Sequence, residues 1–468
     1  MFRRSTPKAL ALSIASLFSI ASPLAQAAED LATIVVTATR QPQRVSELLA
    51  DVSVVSREDI EQSGQSTVTD LLARQPGLQV SNNGGPGKAS SIYIRGATDK
   101  QTLVLIDGVR IGSATLGTAS LSQIPLSQIE RIEILRGPGS ALYGADAVGG
   151  VIQIFTKKGQ GPLQGNAFAG FGSRNTQDLS AGLSGGDERW SYSLRGSYYN
   201  TDGIKAIADR RKQPYNYDPS RDSDGFRSSG VSGSVAFRPA DGHEIGVSLL
   251  VAKGRNWYES GPNFDTHADI EQSAFSLYTR NRLAERWTST LRASRSIDDS
   301  TDFSPYSPDG ARFKTTQDQL AWQNDVRLPV GNLLVALETL NQKVLSEGNF
   351  DRSRRIDSVL AGWSGNLGNH RLQANVRHDD NSQFGGKTTG YGGYGYQITP
   401  ALRAQVSLGS AFRAPTFNEL YYPDFGNPNL KPETALNKEM GLAWELGEQR
   451  ASATIYDNRV KDLINTVC

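Results

Sequence analysis

The run from Asn216 to Phe226, NYDPSRDSDGF, holds Asp218, Asp222 and Asp224, and Asp265 follows in a second polar stretch. Clustered carboxylates in loops suit Ca²⁺, a hard cation that takes roughly six to eight oxygen ligands. A solvated acidic loop has the same composition, so the residues alone leave both readings open. The run is not an EF-hand, because Ser220 holds the first ligand position and no glutamate stands at the twelfth. Catalytic motifs fare worse. Gly182-Leu183-Ser184-Gly185-Gly186 matches G-x-S-x-G, but it ends a strand at a hairpin and precedes no helix, as a nucleophile elbow must. Neither Gly87-Lys88-Ala89 nor Gly386-Lys387-Thr388 has the earlier glycine of a phosphate-binding loop. His243, His267, His370 and His378 show no metal-ligand spacing. No enzyme is expected.

A second kind of chemistry lies near the N-terminus. Thr33, Ile34, Val35, Val36, Thr37, Ala38 and Thr39 read TIVVTAT. β-Branching restricts χ1 and favours an extended backbone, so this run is ready to become a strand. It either opens the following domain or adds to a partner's sheet edge through main-chain hydrogen bonds.

The elements that position these residues follow from the order of the chain. Arg3, Arg4 and Lys8 precede an apolar run from Ala9 to Leu24, and Ala25-Gln26-Ala27 gives a small-x-small cleavage pattern, so residues 1–27 read as a secretory signal peptide. No later run approaches the roughly 20 apolar residues of a membrane helix. Lys and Arg number 49 against 48 Asp and Glu, a near-neutral balance that argues against a nucleic-acid partner. The one cysteine, Cys468, is the last residue. An odd cysteine in an exported chain suggests a missing partner.

Residues 28–45 hold TIVVTAT and a linker, and residues 46–158 read as a compact mixed α/β domain. Strands are expected at Val52–Val55, Leu78–Val80, Ser91–Ile94, Thr102–Ile106 and Ile132–Leu135, with a helix from Ser66 to Ala73. From residue 159 to 468 the pattern alternates with period two. Trp190, Tyr192 and Leu194 oppose Ser191, Ser193 and Arg195; Leu402, Ala404, Val406 and Leu408 oppose Arg403, Gln405 and Ser407. Short turns alternate with long polar loops, expected at 200–227, 254–270, 298–314, 378–386 and 411–433. That rhythm predicts a transmembrane antiparallel β-barrel of about fifteen strands. An odd number cannot close without an unpaired edge, so the barrel is expected to be C-terminally truncated.

Three motifs resemble the TonB-dependent outer-membrane receptors: TIVVTAT, like the TonB box; SIYIRGATDKQTLVLIDGVR from Ser91 to Arg110; and IERIEILRGPGSALYGADAVGGVIQI from Ile129 to Ile154, like the closing segment of the plug. FRAPTFNELYYPDFGNPNLKPE, from Phe412 to Glu433, adds to them in the barrel, and the likeness is strongest to the cobalamin-transporting branch. The resemblance implies a barrel of roughly 22 strands filled by an N-terminal plug. It implies TonB-dependent uptake of cobalamin (vitamin B12) across the outer membrane of a Gram-negative bacterium by a monomer. The partners would be TonB, on the TIVVTAT strand, and the inner-membrane ExbB/ExbD complex. It further implies Ca²⁺ at Asp222, Asp224 and Asp265, although Lys205 stands where the family has another aspartate.

Two alternatives remain. A ferric siderophore or haem is the cargo suited to Arg210, Arg211, Lys212 and Arg221 beside Tyr215 and Tyr217. A passive porin or adhesin would need no TIVVTAT. Arg95, Arg110, Arg131 and Arg136 are expected to meet carboxylates of the barrel wall.

Overall fold

The computed structural model describes residues 35–36, 39–204, 224–258, 264–447 and 449–465. Fifteen strands, from Gln164–Gly172 to Gln449–Lys461, pair antiparallel in chain order as one sheet. Its first and last strands are its two edges. The sheet curls around the N-terminal domain, which touches its strands from Trp190–Ile204 through Gln449–Lys461.

The alternation resolves with the greasy face outward. Trp190, Tyr192 and Leu194 are exposed on the outside, whereas Ser193 and Arg195 are buried inside; Val406 and Leu408 are exposed where Arg403 is buried. An apolar exterior over a polar interior is the inverse of a soluble sandwich and suits a wall in lipid. No helix among the described residues is long and apolar enough to cross a membrane.

Two of the expected outer loops are corrected. Residues 298–314 and 378–386 are mostly strand: Trp287–Ser304 turns tightly into Ser307–Arg327, and His370–Asn381 into Gly385–Thr399. These strands outrun the lipid band. Beyond it the outer face meets water in place of lipid, so both faces are polar and period-two hydrophobicity disappears although Asp302↔Ala311 and Asp380↔Gly386 remain paired. Polarity there reports the solvent and not the backbone.

The plug has a mixed five-stranded sheet, ordered Asp51–Val55, Ile129–Arg136, Gly150–Thr156, Thr102–Ile106, Val109–Ile111. Only the Gly150–Thr156 and Thr102–Ile106 pair is parallel. Ile132, Ile134, Ile152 and Ile154 are fully buried and pack with Val68, Leu72 and Ile94. Ser56 begins a helix through a reciprocal cap with Asp59. The second helix is Val68–Leu72, shorter than expected and capped by Thr67. Asp107 and Gly108 both take positive φ, 49° and 82°, in the two-residue hairpin turn expected of Asp-Gly. That turn presses on the wall, where Arg292 donates to the Asp107 carbonyl.

Candidate functional site

The site is the seam between plug and wall, and it begins beside the TIVVTAT run. Val35–Val36 is a strand folded back on Gln43–Arg44, and Thr39 is buried. Thr33, Ile34, Thr37 and Ala38 lie outside the described residues. The next residues are moored to three consecutive wall strands. The Arg40 guanidinium donates to Glu338, and Gln323 Nε2 donates to the Arg40 carbonyl at 3.1 Å. Gln41 Nε2 donates to Asp325 at 3.0 Å, and Gln43 Nε2 to Ser364 Oγ at 3.1 Å.

Glu338 is the centre of this mooring. It faces inward because Leu334, Ala336, Leu340 and Gln342, its period-two neighbours, do so too. It also accepts from Arg377 at 2.7 Å, and Arg377 donates to Asp379 at 2.8 Å. Two cations thus meet two carboxylates in a buried row, the arrangement that repays desolvation best. Arg377 also reaches the plug, donating to the Leu142 carbonyl in the helix Ser140–Tyr143. The Arg40 guanidinium lies 5.0 Å from the Tyr143 ring. Just beyond that helix, the Asp146 N–H donates to the Phe412 carbonyl at 3.0 Å, and its carboxylate accepts from Arg110 at 2.8 Å. A seven-residue segment therefore touches both the mooring and the outer end of the barrel.

At the outer end, Arg413 bridges Glu433 at 2.8 Å and Glu419 at 3.0 Å, all three buried. Lys100 of the plug pairs with Glu419, and Gln101 donates to Glu433. Thr416 and Glu419 form the reciprocal cap of the helix Phe417–Tyr421. The Phe417 N–H donates to the Ala114 carbonyl of a plug loop. Around that contact lie Phe350, Phe313, Tyr421, Tyr422 and Phe425, with Tyr422 and Phe425 stacked at 4.9 Å. Phe425 is 57% exposed, so the cluster offers an aromatic surface to solvent. Another plug loop is latched by Lys88, whose buried Nζ donates to the carbonyls of Asp224 and Gly225 and to Asn256 Oδ1. Burial pulls that ammonium down to about 8, against the opposing pull of Asp224.

The four plug arginines divide. Arg95 bridges Asp51 of the plug and Glu439 of the wall. Arg110, Arg131 and Arg136 find their carboxylates within the plug, at Asp146, Glu133 and Asp51. Asp224 begins a wall strand beside the Lys88 latch; Asp265 is exposed next to His267. Asp222, Lys205 and the basic run at 210–221 lie outside the described residues. Among the described residues no three His, Cys, Asp or Glu side chains group as metal ligands would.

The family model for the TonB-dependent Receptor Plug Domain matches residues 44–151, and that for the TonB dependent receptor-like beta-barrel matches residues 136–468. The chain belongs to the TonB-dependent receptors. Among curated relatives, the vitamin B12 transporter BtuB of Photobacterium profundum is 34% identical over 441 residues, covering 92% of this chain and 70% of that protein. The BtuB of Vibrio vulnificus is 34% identical over 476 residues, covering 97% and 75%. Among solved structures, the ferric enterobactin receptor of Pseudomonas aeruginosa superposes with a TM-score of 0.76 at 20% identity, covering 89% of this chain and 72% of that one. The ferric yersiniabactin uptake receptor of Yersinia pestis gives 0.70 at 18%, covering 88% and 72%. At such identities these structures speak for the fold alone.

In this TonB-dependent receptor, sequence reading found the TIVVTAT run and missed what holds it. Glu338 and Arg40 are 298 positions apart. The one available signal was a glutamate on an inward period-two position between Ala336 and Leu340, in a strand whose other inward residues are mostly apolar.

Proposed function

We propose that this receptor carries cobalamin across the outer membrane of a Gram-negative bacterium, drawing energy from TonB. The observation that carries the reading is the mooring of Arg40, Gln41 and Gln43 directly after TIVVTAT, through a Glu338–Arg377 pair that also holds the plug helix Ser140–Tyr143. Cargo settling on the outer aromatic surface would shift the 140–146 segment, and a ligand can bias an equilibrium only through such differential contact. Release of the mooring would free TIVVTAT to add as a strand to TonB. The sequence has no nucleotide-binding loop, so the work arrives mechanically, through TonB and the ExbB/ExbD complex behind it. A monomer suffices for this scheme. The vitamin B12 transporters among its relatives support cobalamin as cargo.

Deleting Thr33–Thr39 should leave cyanocobalamin binding to whole cells unchanged and abolish its accumulation. Accumulation by the deletion variant would sink the coupling scheme.

The outer surface favours a second reading, a ferric siderophore. Arg352 lies over the Tyr421 ring at 5.4 Å, a pairing suited to an anionic aromatic chelate. Competition between cyanocobalamin and ferric enterobactin for the purified receptor decides between the two cargoes. Calcium at Asp222, Asp224 and Asp265 is an accessory part of the proposal, supported by the clustering of these carboxylates in the sequence and opposed at Asp224 by the Lys88 ammonium. Radiocalcium retained equally by wild type and Asp265→Asn would remove Asp265 from it.

A further inference from the structure

We propose that the outer end of the seam holds a binding site for one small monovalent oxyanion, a carboxylate or a phosphate, centred on Arg354. A cavity of about 50 Å³ lies between the plug segments at 100–104 and 110–119 and the wall residues Gln317, Gln342, Arg354 and Arg413. Roughly 10–15 Å³ of such space admits one water, so this cavity has room for a small ion and not for a cargo molecule.

Its charges do not balance from within. Lys100, Arg110, Arg354 and Arg413 line it, with Asp146 as the one carboxylate among the lining residues. Asp146 pairs with Arg110, while Glu419 and Glu433 pair with Lys100 and Arg413. Arg354 is left over. Among the described residues no carboxylate lies within 4.0 Å of its guanidinium, which donates to the Pro415 carbonyl at 3.2 Å and rests 4.6 Å from the Phe417 ring. The residue is 5% exposed. Asp146 attracts the Arg354 guanidinium from beyond pairing distance but is itself paired with Arg110, so one buried positive charge in the group has no carboxylate of its own, and a monovalent anion is its complement.

Arg354 and Arg413 both leave Nε without a protein partner, buried beneath the lining, so neither guanidinium is fully satisfied from within the protein. An oxyanion on the cavity side, whose several lone pairs accept charge-assisted hydrogen bonds, would complement the one spare positive charge. The proposal stands apart from the identity of the cargo. Two sources share the chemistry: a free ion from the medium, and an acidic group of the cargo itself, such as the phosphodiester of cobalamin.

Thermal unfolding of the full chain in detergent, titrated with sodium phosphate or formate at constant ionic strength against a bulky sulfonate, tests the site. The wild-type midpoint should rise saturably. Arg354→Met should lose that response, and in the absence of small anions it should unfold at or above the wild-type temperature, because its unpaired charge is gone. Where Arg354→Met does not fold, bromide soaked into crystals of the wild type should give an anomalous peak within contact of Arg354. Equal responses in wild type and Arg354→Met, or density for water only, would overturn the site. With whichever of cyanocobalamin or ferric enterobactin the purified receptor is shown to bind, prior saturation separates the sources: abolition of the phosphate response identifies the cargo's acidic group, and persistence identifies a free ion.

Discussion

The interior of the plug and its seam with the wall are made of opposite materials. Inside, Ile132, Ile134, Ile152 and Ile154 are sealed from water among other aliphatic side chains. At the seam, many of the contacts that fix one body to the other are hydrogen bonds and ion pairs: Arg40 to Glu338, Arg95 to Glu439, Lys100 to Glu419, Gln101 to Glu433. Small apolar patches lie between them: Leu250, Ala252 and Ala274 of the wall join the plug's main core, Leu142 packs with Leu334, Ala336 and Leu360, and Val148 with Ala411 and Ala435. Apolar surface returned to water gives up its whole transfer energy, whereas a hydrogen bond exchanged for one with water costs a net of about 0.5–1.5 kcal/mol. A pull on the N-terminus should therefore open the seam before it unravels the plug.

The comparison breaks most sharply at Glu338. Glu338→Ala leaves Arg40 and Arg377 in a buried site with Asp379 as the remaining carboxylate, and removing one partner of such a network costs about 3–5 kcal/mol. Ile134→Ala, inside the plug, should cost a similar amount, about 2–5 kcal/mol, by leaving a cavity. The two should differ in where the loss appears. Hydrogen exchange at Val35 and Val36 should accelerate strongly in Glu338→Ala and stay near wild type in Ile134→Ala. Equal protection of these amides in Glu338→Ala and wild type would show that the mooring does not hold the Val35–Val36 strand.

The same contrast separates what the sequence discloses from what it hides. Plug strands such as Thr102–Ile106 were legible because aliphatic runs between glycine turns have few other uses. The wall was legible wherever lipid imposes alternation, as at Trp190, Tyr192 and Leu194. It was misread at 298–314, where both faces are polar and the hydrophobic alternation stops while the pairing continues. The seam was illegible almost throughout. Arg95 was matched correctly to the wall, but Arg110, Arg131 and Arg136 spend their charge inside the plug. A polar side chain on an inward strand position announces a wet interior and not its partner, which lies hundreds of residues away.

A smaller effect tests whether a seam contact responds to pH as a buried charge must. The Lys88 latch is held by three acceptors, yet burial lowers its proton affinity from an ordinary value of 10.5 to about 8. The unfolded chain then binds more protons between those two values, so stability is flat below pH 8 and rises as pH climbs towards 10.5. By about pH 9.5 the gain is roughly 2 kcal/mol. Lys88→Met should lack this rise, so wild type should gain on the variant between pH 7.5 and 9.5 in paired thermal unfolding. Parallel pH profiles would mean that Lys88 keeps its solvent-like proton affinity and that the latch is wet.

The smallest effects bear on how the mooring lets go. Gln41 and Gln43 each make one hydrogen bond to the wall, to Asp325 and Ser364 on different strands. Each is expected to contribute about 1 kcal/mol, with the bond to the Asp325 carboxylate the stronger. If the contacts yield one at a time, Gln41→Ala and Gln43→Ala should add within about 0.5 kcal/mol, as independent sites do. If Arg40, Gln41 and Gln43 leave the wall together, the second substitution should cost less than the first, because the segment is already loosened. Exchange rates at Val35 and Val36 in the two single variants and the double variant distinguish the cases. Additivity would favour a peeling release under load; strong coupling would make the mooring a two-state catch, the element that cargo binding has to bias.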